Sequence, residues 1–261
     1  MSILKLLTSV SLAVFTATGL HGERRCPGNV ASVSLRQVQG ALIVVPLRVN
    51  GAGPFDFLVD TGAQITTVDD GLASQLGLPS NGTTGFSGVA SYGRKAFTYL
   101  ATVEVADLRV TDVLAVVDNL TQLHAADGKI RGILGENFPA HFDLLIDNPH
   151  HALCLDDTGA MSAGMKGTRV ALAQAYGADH DLPFTRPLVI EAHMEGIRNP
   201  VLFRLDSGSN VPVIYGGRDQ SVDIRRTTQI LKREVDGLEQ DFAVLQPKDV
   251  AVGGDKVRQV I

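Results

Sequence analysis

One heptapeptide pattern occurs twice in this chain, as Phe57-Leu58-Val59-Asp60-Thr61-Gly62-Ala63 and again as Phe203-Arg204-Leu205-Asp206-Ser207-Gly208-Ser209. Each copy runs from strand-forming apolar residues into an aspartate, a small hydroxyl residue and a glycine. Such an ending turns the chain sharply and leaves backbone amides beside a carboxylate. The copies are offset by 146 residues (206 minus 60), and the same offset carries Pro54 to Pro200 and Leu42-Ile43-Val44 to Leu188-Val189-Ile190. A second pair of strand-like runs, Phe97-Thr98-Tyr99-Leu100 and Phe242-Ala243-Val244-Leu245, lies 37 and 36 residues beyond the respective aspartates (97 minus 60, 242 minus 206). A repeat on this scale says more about architecture than a local motif does. Two such turns facing each other bring two carboxylates into one site, the raw material for acid/base chemistry with shared protons.

The copies differ in extent. By the same offset the second counterpart of Gly132-Ile133-Leu134-Gly135 falls near position 280, past Ile261. The expectation is a second unit without its closing strands, through a shortened product or a sheet edge supplied from elsewhere.

Between the motifs the pattern is one of short strands and few helices. Ala41 to Val49 reads as a strand, Asn50-Gly51-Ala52-Gly53-Pro54 as a turn, and Phe55 to Val59 as the returning strand that delivers Asp60. Asp69 to Pro79 reads as a short helix with an aspartate cap, Gly77 as its stop and Pro79 beyond. Ser80 to Tyr92 is dense in Gly, Ser, Thr and Asn and suits a loop or hairpin tip. Strand-like runs follow at Phe97 to Val105, Val113 to Val117, Gly132 to Gly135 and Phe142 to Asp147. From Asp156 to about Asp181 small residues dilute the pattern, as in a connection between lobes.

A chain of 261 residues, 44% of them apolar, has material for one large domain or two lobes and needs neither metal nor many disulfides to fold. Its net charge of -5 and scattered basic residues leave no footprint for nucleic acid and no polybasic membrane patch. A peptide or small molecule is the expected partner. Met1 to about Gly22 has the form of a secretory signal peptide, with Lys5, an apolar stretch from Leu6 to Phe15, and small residues after it. Secretion or a periplasmic location is expected, with an uncleaved membrane anchor as the rival reading. Cys26 and Cys154 are the two cysteines. They pair in an oxidising compartment, or they stay as two thiols with one buried in a strand; both readings are open here.

At these residues the chain resembles the aspartic proteases, in particular the bacterial retropepsin-like proteins and the bilobal pepsin-like enzymes. The resemblance rests on Asp60-Thr61-Gly62-Ala63, on the downstream Ile133-Leu134-Gly135, and on Asp206-Ser207-Gly208. It implies a mostly β, bilobal acid-protease-like fold of two related β-barrel lobes, the second incomplete. The boundaries are a signal segment at 1–22, a first lobe at 23–160, a connection at 161–185 and a second lobe at 186–261. It implies Asp60 and Asp206 as a dyad that shares one proton, activates water and hydrolyses peptide bonds without a cofactor. Thr61 and Ser207 become hydrogen-bond braces between the lobes. Gly62 and Gly208 leave room for amides near the carboxylates, and Ile133, Leu134 and Gly135 support the first turn from behind. Gly85-Phe86-Ser87-Gly88 takes the place of the flap tip, with Phe86 and Tyr92 as aromatic contacts for substrate; the alternative is an exposed hairpin with no catalytic part. Two rival functions remain: a protease-like module that binds peptide without turnover, and a protease active as a homodimer through Asp60 of two copies.

Other features carry less. His150-His151, with His141 and His124, lack an acidic partner at ligand spacing and fit a surface turn around Asn148-Pro149, so no metal site is expected. Asp69 and Asp70 suit helix capping rather than catalysis. Ser207 and Ser209 follow an aspartate and lie in no Gly-x-Ser-x-Gly elbow, which argues against a serine hydrolase.

Overall fold

The structure is a computed structural model that describes residues 26–87, 92–173, 187–209, 230–235, 238–243 and 248–260. The expected signal segment at 1–22 and Gly88 lie outside these described residues.

The first half contains β1 (Ala31–Ser34), β2 (Arg36–Val38), β3 (Leu42–Val49), β4 (Ala52–Val59), β5 (Thr66–Asp69), helix α1 (Asp70–Gln75), β6 (Thr83–Ser87), β7 (Tyr92–Val105), β8 (Leu108–Asp118), α2 (Thr121–Ala126), β9 (Ile130–Leu134), β10 (Asp143–Asp147) and β11 (Ala152–Asp156). After α3 (Ala160–Gly164) come β12 (Val189–Met194), β13 (Val201–Arg204), β14 (Ile230–Val235), β15 (Leu238–Ala243), β16 (Lys248–Val252) and β17 (Asp255–Val260). The protein is therefore mostly β.

Local chemistry explains the elements that position Asp60. The β3–β4 hairpin turns on Asn50 and Gly51, with φ of 51° and 78°. Two consecutive left-handed residues make the tight turn whose twist matches antiparallel strands. The returning strand therefore begins at Ala52, and Gly53 and Pro54 lie within it rather than in the turn expected from their composition. Helix α1 starts where the Asp69 carboxylate accepts the Leu72 amide at 2.9 Å, and Gly77 follows its end with φ of 61°.

Eight strands form one sheet in the order β2-β3-β4-β9-β5-β8-β7-β6, and an added pairing of β3 with β7 closes it on itself. β4 and β9 run parallel, with Phe57 opposite Gly132 and Val59 opposite Leu134. Inside lies a core that includes Leu47, Val49, Phe57, Leu100, Leu134 and Phe138, all at most 2% exposed. Burial of side chains of this size stabilises by about 1.5–3 kcal/mol each. A separate sheet, β1-β11-β10, is tied to the start of the described chain by the Cys26–Cys154 disulfide. Of the two readings open for these cysteines, the structure has the paired one.

The second half forms a sheet in the order β13-β12-β16-β17, and β14 and β15 pair as a separate hairpin. Among the described residues its core is formed by Ala192, Met194 and Val250, with Val201, Phe203 and Val252 packed against them. Val44 pairs with Leu58 in the first half, and Val189 pairs with Arg204 in the second. The strand that precedes each aspartate strand is thus offset by 145 residues (189 minus 44), not 146. The second copy carries one extra residue in the connection, a slip that apolar runs of similar composition conceal in the sequence. Among the described residues β13 pairs with β12 alone, whereas β4 has β3 on one side and β9 on the other.

Candidate active site

Asp60 stands at the end of β4, where its amide donates to the Leu134 carbonyl at 3.0 Å and so extends the β4–β9 ladder by one bond. Beyond the strand ends the chain turns at Asp60, and its far side is bonded to the segment after β9: the Glu136 amide donates to the Ala63 carbonyl at 2.7 Å and the Asn137 amide to the Gln64 carbonyl at 3.3 Å. Gly135 lies so close that a Cβ there would sit 2.5 Å from the carbonyl carbon of Ile65. Thus Ile133, Leu134 and Gly135 lie directly behind the Asp60 turn. Asn137 completes the support: its side-chain oxygen accepts from the Thr66 amide at 2.9 Å and the Thr66 hydroxyl at 2.8 Å, and its amide group donates to the Leu114 carbonyl at 2.7 Å.

Within the turn, the amides of Gly62 and Ala63 donate to Asp60 Oδ1 at 2.7 and 3.0 Å. The second turn has the matching bond from the Gly208 amide to Asp206 Oδ1 at 2.9 Å. Four hydrogen bonds lock the turns together. The Thr61 amide donates to Ser207 Oγ at 3.1 Å, and the Ser207 amide donates to Thr61 Oγ1 at 3.0 Å. Each hydroxyl then donates across to the other side: Thr61 Oγ1 to the Leu205 carbonyl and Ser207 Oγ to the Val59 carbonyl, both at 2.8 Å. Val59 and Leu205 are themselves related by the 146-residue offset, so the brace is symmetric in the same sense as the sequence.

The brace presses each carboxyl group against the opposite glycine. A Cβ on Gly62 would lie 2.4 Å from Asp206 Cγ, and one on Gly208 would lie 2.3 Å from Asp60 Cγ. Any larger residue at either glycine would drive the acids apart. The two carboxyl groups are within hydrogen-bonding reach of one another. Burial pushes Asp60 up to about 6, the Asp206 charge adds to the rise, and the amides of Gly62 and Ala63 pull the other way. Asp60 is half-buried and Asp206 exposed, so the pair is open to solvent on the Asp206 side. A pair of this kind can hold one proton between two oxygens while one carboxyl stays ionised.

The segment expected to cover the site is a β6–β7 hairpin in which Gly85 pairs with Arg94, Phe86 with Gly93 and Ser87 with Tyr92. A Cβ on Gly85 would meet nothing within 4 Å, so packing does not require glycine there. Asp69 caps α1 and is bound by Arg131 at 3.2 Å, in a structural role. His150 pairs with Asp147 at 2.7 Å, and among the described residues no group of three or more His, Cys, Asp or Glu is placed to hold a metal. Thr66, Glu136, Asn137 and Arg204 belong to the site's surroundings and were not singled out in the sequence. A usable signal for one of them was the repeat itself, because Arg204 stands where the first copy has Leu58.

The aspartyl protease family matches residues 45–138 of this chain. A retropepsin-like aspartic protease from Rickettsia conorii superposes with a TM-score of 0.36 and 20% identity, over 48% of this chain and 90% of that one. The retroviral protease-like domain of Ddi1 from Leishmania major superposes with a TM-score of 0.32 and 19% identity, over 45% of this chain and 90% of that one. No curated protein sequence matches. The matched span contains Asp60, its glycine turn and the Ile133-Leu134-Gly135 strand end, so the part of the chain that carries Asp60 is similar to the aspartyl protease family.

Proposed function

We propose that this chain is an aspartic-type endopeptidase in which Asp60 and Asp206 of one polypeptide form the dyad. The observation that carries the reading is the mutual seating of the two carboxyl groups, each against the other turn's glycine, behind a four-bond brace. A water held between the acids loses a proton to the ionised carboxylate as its oxygen bonds to the peptide carbonyl carbon. The protonated carboxyl meanwhile donates to the carbonyl oxygen. Transfer of a proton to the peptide nitrogen then lets the carbon–nitrogen bond break, which releases an acid and an amine and returns the shared proton. The chemistry asks for no cofactor. In this reading the β6–β7 hairpin closes over an extended substrate, with Gly85, Phe86 and Ser87 towards its tip.

The reading of a homodimer through Asp60 requires a second copy's turn where the Asp206 turn now sits, so it needs the second half to leave. A module that binds peptide without turnover would share the geometry and lack the chemistry. Cleavage of a denatured protein by wild type, Asp60→Asn and Asp206→Asn, with the products sequenced, separates the three. The dyad predicts turnover by wild type, inhibition by a statine-type mimic, and loss in both variants. Loss in Asp60→Asn alone supports the dimer, and peptide binding without cleavage from about pH 3 to 7 supports the binding module.

A further inference from the structure

A fifth polar link joins the halves outside the four-bond brace. Glu136 follows Gly135, and its amide is bonded to the Ala63 carbonyl of the first aspartate turn. Its side chain is 5% exposed and reaches into the second half, where Oε1 accepts from Arg204 Nη2 at 3.3 Å. Arg204 is the last residue of β13, two positions before Asp206. One side chain therefore connects the backing of one turn to the strand that delivers the other.

We propose that Glu136 and Arg204 are positioning residues that hold the Asp206 turn in register with Asp60. This rests on the reading of the two aspartates as a working dyad. Stability alone does not account for the pair. Burial raises the Glu136 carboxyl above its usual range more strongly than Arg204, or the weaker pull of the Leu188 backbone, lowers it. Arg204 is the charged group that acts on it. Oε2 is buried with no hydrogen-bond partner. A carboxylate in that position opposes folding in its ionised form, since its desolvation exceeds the return from the ion pair. The sign follows: the stability this group contributes is present while it is protonated and is lost as pH rises through its raised pKa. The first copy has Leu58, 2% exposed, at the place of Arg204, whose side chain is 37% exposed, so the strand itself does not call for an arginine here. A buried carboxylate that does not serve stability, paired with the partly exposed Arg204 between two elements that must meet at a fixed distance, serves the distance.

The test uses the full chain as wild type, Glu136→Gln, and the Glu136→Leu/Arg204→Leu double variant. Four quantities are read: urea midpoint, kcat and KM on a denatured protein, and hydrogen exchange at the Ser207 amide, which donates to Thr61 Oγ1. The double variant should keep a midpoint close to wild type, because it removes the buried, poorly satisfied Glu136 carboxylate and replaces only a partly exposed arginine. Its kcat should fall about tenfold, equivalent to about 1.4 kcal/mol of transition-state stabilisation, with KM within about twofold and faster Ser207 exchange. Glu136→Gln keeps an acceptor for Arg204 and should recover most of kcat. Wild-type kcat and wild-type Ser207 exchange in the double variant overturn the proposal. So does a fall in midpoint that parallels kcat, which marks a merely structural pair. If wild type cleaves nothing, the endopeptidase reading fails by itself, and Ser207 exchange alone decides whether the pair sets the register.

Discussion

Replacing Asp60 by asparagine should make the protein more stable at neutral pH, by an amount that depends on pH in a calculable way. Asp60 is raised from 3.8 to about 6, with burial the largest cause and the Asp206 charge the second. A carboxyl that binds its proton more tightly when folded favours the folded state while protonated. That contribution is fully present below 3.8 and is lost as pH rises through about 6. The difference of roughly two pH units, at 1.36 kcal/mol each, corresponds to about 3 kcal/mol. Asp60 is only half-buried, and solvent screening lowers the expected value to about 2 kcal/mol.

Asparagine carries no such charge, so the stability difference between Asp60→Asn and wild type reports the Asp60 charge together with its coupling to Asp206. Asp127 and Asp156, which hydrogen bonds hold below their usual range, act in the opposite direction and cancel in the subtraction. Urea unfolding of both proteins at several values from about pH 3.5 to 7 should show the variant gaining about 2 kcal/mol over wild type across the range. Most of the gain should fall between 3.8 and about 6. A difference that stays constant within about 0.5 kcal/mol would refute the coupling of burial and charge at this site. Asp206→Asn offers an internal control: it removes the second cause and leaves the first, so the Asp60 carboxyl should titrate lower than in wild type yet still above 3.8.

Two further outcomes follow from the packing. Gly132→Ala places a Cβ 2.1 Å from the Phe57 ring, which is fully buried, so thermal unfolding should show a loss of about 1–3 kcal/mol, partly restored by Phe57→Leu. Cys26→Ser opens a loop of 128 residues; by chain entropy its closure contributes up to about 5 kcal/mol, so guanidinium unfolding of the variant should move to clearly lower midpoints. Equal midpoints with and without reductant in wild type would contradict that.

The parts of the fold legible in the sequence are those whose causes are local. Asn50-Gly51 reverses the chain by left-handed conformations that asparagine and glycine adopt readily, and Asp69 starts a helix by bonding an amide three residues away. The Asp60 and Asp206 turns were legible for a related reason: each aspartate accepts amides from its own turn, and the repeat marked the two as equivalents. Thr61 and Ser207 were expected to brace the lobes, but their acceptors, the carbonyls of Leu205 and Val59, are backbone groups with no signature in residue type. Asn137 binds Thr66 from 71 positions away, and Glu136 meets Arg204 across 68, so neither partner identifies the other in one dimension.

What the amino-acid order determined by itself is the inventory: two related units, each a β hairpin ending in an acid on a glycine turn, and an apolar strand end with glycines spaced for close approach. Only the tertiary structure decided how the inventory meets. The parallel β4–β9 pairing, the closure of β3 on β7, the one-residue slip in the second copy and the seating of each carboxyl against the other turn's glycine all join residues far apart in the chain. Their energies come from groups brought within a few ångströms by folding. A proton affinity near that of Asp60 exists only once burial and a second charge act on the same carboxyl group.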